Sequence, residues 1–288
     1  MDVFSIEKPQ NAFPVVFDSP HSGTHYPDDF DFSCQKEALQ SIEDCYIDDL
    51  FSEAPRFGAP LLCAKVARSY IDLNRARDDI DLTLIEGDLP TAKPSHLSDS
   101  GIGLIPRLIK PGTTIYERKL DAEEVMNRIM TCYDPYHEML ENLIEDAYYR
   151  YGKVWHINCH SMPHKTSYPK NALSLLGGKV KAVDIALGDR DGSTCERDFV
   201  HALRDFWKLR GYHVGVNDPY KGVELIRKHA QPTRGKNSLQ IEINRSLYMD
   251  ENTGEKSKNY DAFKNEITDM IKFCVDFAQS RCNRIAAD

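Results

Sequence analysis

Residues 13–23 read Phe-Pro-Val-Val-Phe-Asp-Ser-Pro-His-Ser-Gly, an apolar run that stops at a Pro-His-Ser-Gly turn. The β-branched and aromatic side chains of residues 15–17 are typical of a buried strand. Pro20 lacks an N–H group and should end the strand ladder, and Gly23 allows the backbone to turn with positive φ. The stretch therefore predicts a strand that delivers His21 to the C-terminal edge of an α/β sheet, where such sheets bind ligands. A structural histidine in a turn is the alternative.

A second stretch repeats this arrangement. Residues 154–162 read Val-Trp-His-Ile-Asn-Cys-His-Ser-Met and are followed by a proline. In a strand, His156 and His160 would lie on one face and Cys159 on the other, because side chains alternate. His160 stands at the strand end, so we predict it as the second histidine of a site. Cys159 is disfavoured as a nucleophile because the neighbouring histidine points to the opposite face.

Two aspartates in a predicted helix are candidates for a carboxylate at the site. Residues 33–54 carry apolar side chains at helical spacing. On a wheel of about 100° per residue, Asp44 lies at the edge of the apolar arc and Asp48 lies further out. Asp44 is therefore the better candidate, although the choice between the two stays open. A solvated acidic face is the alternative for either residue.

Polar side chains also end a further predicted strand, residues 70–75, which read Tyr-Ile-Asp-Leu-Asn-Arg. Arg75 could clamp a carboxylate or polarise a carbonyl, because its guanidinium donates to two oxygens at once. A surface salt bridge to Asp78 or Asp79 is the alternative. The next region, residues 76–118, is rich in Pro, Gly, Ser and Asp and is predicted to be a loop that forms a lid or a pocket wall.

A carboxylate interrupts the most regular predicted strand, residues 239–245, which read Leu-Gln-Ile-Glu-Ile-Asn-Arg. Glu242 lies on the face opposite the apolar side chains. If both faces of the sheet are covered, Glu242 is buried, and a buried carboxylate must be paired, protonated or functional. An edge strand with a solvated polar face is the alternative.

Length and composition limit the classes of protein. A chain of 288 residues with 41% hydrophobic and 28% charged residues allows one large α/β domain or two small ones. The net charge of −9 gives no reason to expect nucleic-acid binding. No apolar run approaches the ~20 residues of a membrane span, and the first residues lack the apolar core of a signal peptide. We therefore expect a cytoplasmic protein without a membrane partner.

The candidate residues together match a known chemistry. Two histidines and one carboxylate, with a fourth position left for water, are the donor set of a hydrolytic zinc site. His21, His160 and Asp44 would supply these donors. A separate buried carboxylate, here Glu242, is the usual group that takes a proton from the water.

The same residues stand in motifs that occur together along the chain. They are Pro20-His21-Ser22-Gly23, Glu43-Asp44-Cys45, Arg68 with Asp72-Leu73-Asn74-Arg75, Cys159-His160-Ser161, residues 217–222, and residues 239–242 with residues 248–251. With this set the chain resembles the N-formylglutamate amidohydrolase family, from about residue 13 to residue 251. The resemblance implies one catalytic domain over residues 1–288, with the phosphorylase/hydrolase-like fold of zinc carboxypeptidases and aspartoacylases. That fold is α/β, a three-layer α/β/α structure with a mixed, mostly parallel central sheet.

The resemblance also implies an activity and a cofactor. Members of the family are zinc amidohydrolases that release formate from N-formyl-glutamate late in histidine breakdown, so one Zn2+ per chain is expected. His21 and His160 would be zinc ligands. Asp44 would be the third ligand, since Thr24 stands where a carboxypeptidase-type glutamate would be. Glu242 would be the general base and later the proton donor to the leaving amine.

Carrying over the substrate-binding residues gives a second set. The Asp-Leu-Asn-Arg stretch also occurs in aspartoacylases, so Asn74 and Arg75 would hold the substrate carboxylate or polarise the scissile carbonyl. Arg227 and Arg245 are further candidates for a substrate carboxylate. The chain departs from the family at Val223, where many relatives have glycine, and at Asn244-Arg245. These departures concern the substrate and not the metal.

Two other functions are compatible with this sequence. One is an amidase or carboxypeptidase that acts on another N-acyl amino acid or on a short peptide. The other is a catalytically silent relative that binds a carboxylate ligand or a partner protein. The sequence makes no prediction of the oligomeric state.

Overall fold

The computed structural model describes residues 2–110, 112–170 and 180–282. Its strands are β1 (Phe4–Glu7), β2 (Val15–Ser19), β3 (Leu61–Ala64), β4 (Ile85–Glu86), β5 (Leu108–Lys110), β6 (Thr113–Thr114), β7 (Leu120–Asp121), β8 (Val154–Met162), β9 (Ile185–Gly188), β10 (Val214–Val216) and β11 (Lys236–Asn244). Its α-helices are α1 (Lys36–Gln40), α2 (Ile47–Leu50), α3 (His96–Asp99), α4 (Ala122–Arg128), α5 (Asp134–Tyr151), α6 (Arg197–Leu209), α7 (Glu224–His229) and α8 (Tyr260–Cys282).

Seven of these strands form one sheet in the order β1-β3-β2-β8-β11-β9-β10. β2 runs parallel to β8, β8 parallel to β11, and β9 parallel to β10, whereas β9 is antiparallel to β11. The short strands β4 and β7 form one separate pair, and β5 and β6 form another. The prediction of an α/β fold with a mixed, mostly parallel sheet is confirmed.

The chain forms two compact units, each made of several segments that contact one another. The first comprises Met1–Ser5, Pro20–Asp44 and Leu62–Glu141, and the second comprises Ile6–Ser19, Cys45–Leu61 and Asn142–Asp288. The second unit holds β2, β8 to β11 and α6 to α8. The expectation of one catalytic domain over residues 1–288 stays a prediction.

Helices cover both faces of the sheet in the second unit. Trp155 of β8 contacts the rings of Phe199 in α6 and Phe277 in α8, with centroids 6.4 and 6.1 Å apart. The next residue, His156, contacts His229 in α7 at 5.9 Å. Because successive side chains of a strand point to opposite faces, α6 and α8 lie on one side of β8 and α7 lies on the other. All nine residues of β8 are buried, as in strands covered on both faces.

The first unit contains a fully buried arginine, Arg128. Arg128 has no exposed surface, and its guanidinium lies 4.0 Å from the ring centroid of Tyr70 and 5.6 Å from that of Tyr116. It donates hydrogen bonds to the Tyr70 carbonyl and the Tyr116 hydroxyl, at 3.1 and 2.7 Å, and forms an ion pair with Glu124. A buried guanidinium needs such acceptors and aromatic faces, so Arg128 ties α4 to the chain at Tyr70.

The predicted helix over residues 33–54 is wrong. The chain forms α1, then turns, then α2 and a 3₁₀ turn at Ala54–Phe57. The helix is interrupted at Asp44, whose N–H donates to the His21 carbonyl at 3.0 Å rather than to a helical neighbour. Tyr46 then takes a left-handed φ of 66°. Asp44 therefore does not lie in a helix, and the helical-wheel position predicted for it does not exist.

The predicted strand over residues 70–75 is also wrong, since this segment is irregular and contains turns but no strand. Its backbone groups pair locally or with a distant loop: the Asp72 N–H donates to the Leu104 carbonyl at 2.8 Å, and the Arg75 N–H to the Asp72 carbonyl at 3.2 Å. Leu104 is fully buried, so this part of the predicted loop is packed structure.

Residues 122–151 form one helical run that changes its hydrogen-bond pattern part-way along. A π-helical turn over Ile129–Tyr133 separates α4 from α5. Pro135 follows this turn directly, at a point where the regular i→i−4 hydrogen-bond pattern is already interrupted. α6 begins at Arg197, with Glu196 in an extended conformation at its N-cap. Across the described residues, no helix combines the length and apolar character that crossing a membrane requires.

Gly23 has a role different from the predicted one. Its φ does not lie in the left-handed region. A Cβ at this position would lie 2.3 Å from the Val66 carbonyl oxygen and 2.6 Å from the Lys65 carbonyl carbon. The turn after His21 therefore needs glycine because another backbone segment passes against it.

We predict that Gly23→Ala lowers the free energy of unfolding by about 3 kcal/mol, because backbone atoms cannot give way as a flexible side chain can. Chemical denaturation monitored by circular dichroism measures this change. Gly254→Ala is the control, since Gly254 has a left-handed φ of 75° but open space around it. It should cost only about 1 kcal/mol. Equal losses in the two variants would contradict the close approach at Gly23.

Candidate active site

His21 is held by two carboxylates in the first unit. Its Nε2 donates to Asp72 Oδ1 at 2.6 Å, and its Nδ1 lies 3.5 Å from Asp44 Oδ2. All three side chains are at most 3% exposed. Because Nε2 of His21 bonds to the Asp72 carboxylate, Nδ1 is the ring nitrogen that faces Asp44.

Asp72 is the acceptor that fixes the orientation of His21. Burial raises its pKa, but the nearby charges of His21, Arg75 and Arg68 outweigh burial and hold the pKa of Asp72 well below its ordinary value. Arg68 donates to Asp72 Oδ2 at 2.9 Å and lies 3.9 Å from Asp44 Oδ1. Asp72 is therefore an ionised hydrogen-bond acceptor at neutral pH.

The two aspartates that the sequence left open differ in the structure. Asp44 is 1% exposed, and its N–H donates to the His21 carbonyl. Asp48 lies in α2 and is exposed. The neighbouring Asp49 binds Lys256 and Lys264 at 2.6 and 2.5 Å. The acidic face of α2 is thus partly a salt-bridged surface.

The segment that carries Asn74 and Arg75 is held by side chains of the interrupted helix. His137 Nε2 donates to the Leu73 carbonyl at 2.9 Å, and the Tyr133 hydroxyl donates to the Arg75 carbonyl at 2.8 Å. The Tyr133 and His137 rings stack with centroids 3.8 Å apart. Tyr133 is the last residue of the π-helical turn. Its side chain and that of His137 supply hydrogen-bond donors to backbone carbonyls of this irregular segment.

Arg75 is buried rather than part of a surface salt bridge. It is 9% exposed, and its Nε donates to the Ile102 carbonyl at 2.9 Å. Its Nη2 lies 4.0 Å from Asp72 Oδ2. Asn74 is also buried, and its N–H donates to Asp72 Oδ1 at 2.9 Å. Residues 102–104 of the long loop thus form a wall beside Arg75 and Asp72.

In the second unit, one face of the sheet carries buried polar side chains. His160 of β8 is 3% exposed, and its Nε2 lies 2.8 Å from Asn158 Oδ1. Asn158 Nδ2 donates to Asp18 of β2 at 2.9 Å. Asp18 also accepts from His156 Nε2 at 2.8 Å. His156 and His160 lie on the same face, as predicted from their spacing.

Glu242 is buried, 7% exposed, and lies beside His160 in the register of β11 and β8. Paired residues of parallel strands project to the same face, so Glu242 and His160 share it. Gln240 Nε2 donates to Glu242 Oε1 at 2.8 Å, and Gln240 Oε1 accepts from the Val223 N–H at 3.3 Å. Position 223 thus supplies a backbone donor that orients Gln240.

The two further arginine candidates have different surroundings. Arg245 follows β11, is 6% exposed, and donates from Nε to Ser161 Oγ at 3.0 Å. Arg227 lies in α7 with its side chain 56% exposed and donates twice to Glu224, at 2.8 and 2.7 Å. Arg245 is therefore much better placed than Arg227 to bind a ligand away from water.

The three predicted ligands come together. One ligand atom from each of His21, Asp44 and His160 lies within 4.8 Å of the other two, and all three residues are buried. Two imidazoles and a carboxylate are a donor set that divalent zinc accepts. Nε2 of His21 lies 2.6 Å from Asp72 Oδ1, and Nε2 of His160 lies 2.8 Å from Asn158 Oδ1. These residues therefore form a group that can hold a metal ion.

The profile of the N-formylglutamate amidohydrolase family matches residues 13–249 of this chain. The chain belongs to that family. The N-formylglutamate deformylases of Pseudomonas aeruginosa and Pseudomonas putida are 28% and 25% identical to it, over 244 and 246 residues. These matches cover 83% and 84% of this chain, and the same shares of the two relatives.

Two solved structures share the fold of this chain. A crystal structure of N-formylglutamate amidohydrolase from Ralstonia eutropha JMP134 matches with a TM-score of 0.90 and 41% identity, over 97% of this chain and 99% of that one. A protein from Agrobacterium tumefaciens matches with a TM-score of 0.64 and 18% identity, over 98% and 94%. The second protein shares the fold with this family member.

Sequence reasoning missed the residues that orient the candidate ligands. Strand periodicity and the motifs give Asp72 only as one of several polar residues, and they assign no role to Asp18 or Asn158. A usable signal exists in the sequence, because Asp18 interrupts an otherwise apolar buried strand and Asn158 shares the parity of His156 and His160. A polar residue on a strand buried on both faces must have a partner nearby.

We predict that Tyr133→Phe lowers the free energy of unfolding by about 1–2 kcal/mol, because it leaves the buried Arg75 carbonyl without this donor. Urea denaturation measures the change. Tyr149→Phe is the matched control, since Tyr149 is 92% exposed and the same loss of a hydroxyl should cost less than about 0.5 kcal/mol. Equal stability of the two variants would show that the helix does not hold the Arg75 segment through this bond.

Proposed function

We propose that this family member is a zinc-dependent amidohydrolase that cleaves the formyl amide of N-formyl-L-glutamate to formate and glutamate. The observation that carries the proposal is the buried group formed by His21, Asp44 and His160, in a chain that belongs to the N-formylglutamate amidohydrolase family. The names of the Pseudomonas deformylases support the substrate.

The donor set fits one zinc ion per chain. Zinc takes imidazole nitrogen and carboxylate oxygen at four-coordinate sites, and hydrolytic sites use three protein ligands. An ion bound there would lower the pKa of a water molecule towards 7 and polarise a carbonyl oxygen. The hydrogen bonds from His21 to Asp72 and from His160 to Asn158 set both rings for coordination through Nδ1.

Glu242 is the proposed proton carrier. It accepts a hydrogen bond from Gln240, and it projects from the same sheet face as His160. In this role its carboxylate takes a proton from the attacking water and later gives it to the leaving amine of glutamate. The hydrogen bond from Gln240 limits the rotation of the carboxylate, so that an oxygen is kept in place for both transfers.

The substrate carboxylates are assigned to buried arginines. Arg75 and Arg245 are each buried and project a guanidinium that can donate to two oxygens. In the proposal, Asn74 and Arg75 hold a carboxylate or polarise the formyl oxygen, and Arg245 holds a remaining carboxylate. Arg227 stays a weaker candidate because it is exposed and already pairs with Glu224.

Metal analysis combined with a substrate panel tests the proposal. The purified protein should contain about one zinc per chain and release formate from N-formyl-L-glutamate, and removal of the ion by a chelator should abolish release. Preference for N-acetyl- or peptidyl-glutamate would assign another acyl substrate. Absence of both stoichiometric metal and hydrolysis would identify a silent relative.

We predict that Glu242→Gln keeps the zinc content and lowers kcat by about 10²–10⁴-fold, because the amide cannot take the proton. Atomic absorption and a formate assay measure the two quantities. Glu255→Gln, at an exposed site, serves as the control and should keep normal turnover. Turnover near the wild-type value in Glu242→Gln would remove Glu242 from the mechanism.

We predict that Arg245→Lys raises KM for N-formyl-L-glutamate by about tenfold to a hundredfold, since a charged hydrogen bond contributes ~1.5–3 kcal/mol. The change in kcat should be smaller, because the interaction is made equally in the bound substrate and the transition state. Steady-state kinetics measure both. Arg227→Lys should leave KM unchanged, and a rise there instead would exchange the roles of the two arginines.

A further inference from the structure

Four consecutive hydrogen bonds link buried side chains across β11, β8 and β2. Ser238 Oγ lies 2.5 Å from His156 Nδ1, and His156 Nε2 lies 2.8 Å from Asp18 Oδ1. Asn158 Nδ2 donates to the same oxygen at 2.9 Å, and Asn158 Oδ1 lies 2.8 Å from His160 Nε2. None of the five residues is more than 3% exposed. We call this chain of bonds the polar relay.

The relay has a direction that Asp18 sets. Asp18 Oδ1 accepts the hydrogen bond that Asn158 Nδ2 donates, so the Asn158 amide turns its N–H towards Asp18. The carbonyl oxygen of the same amide then faces His160. Because that oxygen also only accepts, His160 must carry its hydrogen on Nε2, and Nδ1 keeps the lone pair.

We propose that Asp18 and Asn158 are positioning residues that select the tautomer and ring orientation of His160 for metal binding. The inference rests on the proposed metal site and extends it by two residues that coordinate nothing themselves. Asp18 acts at a distance of two hydrogen bonds from the ring it controls.

The burial of the relay supports a role beyond packing. Apolar side chains of similar size would fill the same strand positions without the cost of removing a carboxylate from water. The relay also ends on a candidate ligand, and the acceptor next to a metal-binding histidine is what fixes its tautomer in metalloproteins.

The first test measures Zn2+ affinity of the full chain by competition with a chelator. Asn158→Leu is expected to weaken binding by about 10–100-fold, because it removes the acceptor of His160 and keeps the branching and the number of side-chain heavy atoms. Ser238→Ala is the matched control, since it removes a buried hydroxyl at the other end of the relay. It should change affinity less than about threefold. Equal affinities in the two variants would overturn the proposal.

The second test reads the ring itself in the metal-free protein. Nitrogen-15 chemical shifts of labelled histidine should show His160 as a single Nε2–H tautomer in the wild type and in Ser238→Ala. In Asn158→Leu the same ring should show averaging of both tautomers. A purely structural role of Asn158 would leave the tautomer unchanged, so a single Nε2–H form in this variant would contradict the inference.

Asp18→Asn supplies a test that does not depend on Asn158→Leu folding. Its shape is that of the native residue, but its amide can present either an oxygen or an N–H group to Asn158. We expect averaged His160 tautomers and weaker Zn2+ binding than in Ser238→Ala. A wild-type tautomer and affinity would show that Asp18 does not direct the relay.

Different results would reject the proposed metal site and the proposed positioning roles of Asp18 and Asn158. Wild-type protein that takes up no stoichiometric Zn2+ would reject the proposed metal site. Wild-type protein that binds Zn2+ with the same affinity as Asn158→Leu and Asp18→Asn would reject only the positioning roles.

Discussion

A carboxylate accepts hydrogen bonds and cannot donate them, and this constraint arranges the polar side chains of both units. Asp72 takes the Nε2 hydrogen of His21, and Asp18 turns the Asn158 amide that takes the Nε2 hydrogen of His160. Each candidate ligand is therefore oriented by an acceptor on the side away from the site. One histidine is bound directly to its carboxylate, and the other through an intervening amide.

The sequence predicted the parts of the site that follow from strand periodicity. His160 and Glu242 lie in long strands buried on both faces, where alternation alone decides which face a side chain takes. The strand that ends at a Pro-His-Ser-Gly turn predicted His21, and the family resemblance supported Asp44 as the carboxylate. Two parallel strands in register then place His160 and Glu242 side by side, which follows from the geometry of the ladder once the pairing is known.

The errors fell where tertiary contacts replace local structure. Residues 33–54 have helical spacing, but the Asp44 N–H bonds to His21 and Tyr46 adopts a left-handed conformation. Residues 70–75 have strand composition, but their carbonyls accept from Arg128, Tyr133 and His137, all distant in sequence. Periodicity and composition report only neighbours along the chain, so they could not reveal these partners.

The π-helical turn at Ile129–Tyr133 bears on how this part of the chain can vary. A π turn holds one residue more than the α-helix around it. The extra residue is taken up within the turn, so the α-helices on either side keep the relative rotation that they would have in a regular helix one residue shorter. His137 therefore keeps its place beside the Leu73 carbonyl whether or not the extra residue is present, and we expect one-residue length differences in this helix to fall between Arg128 and Asp134.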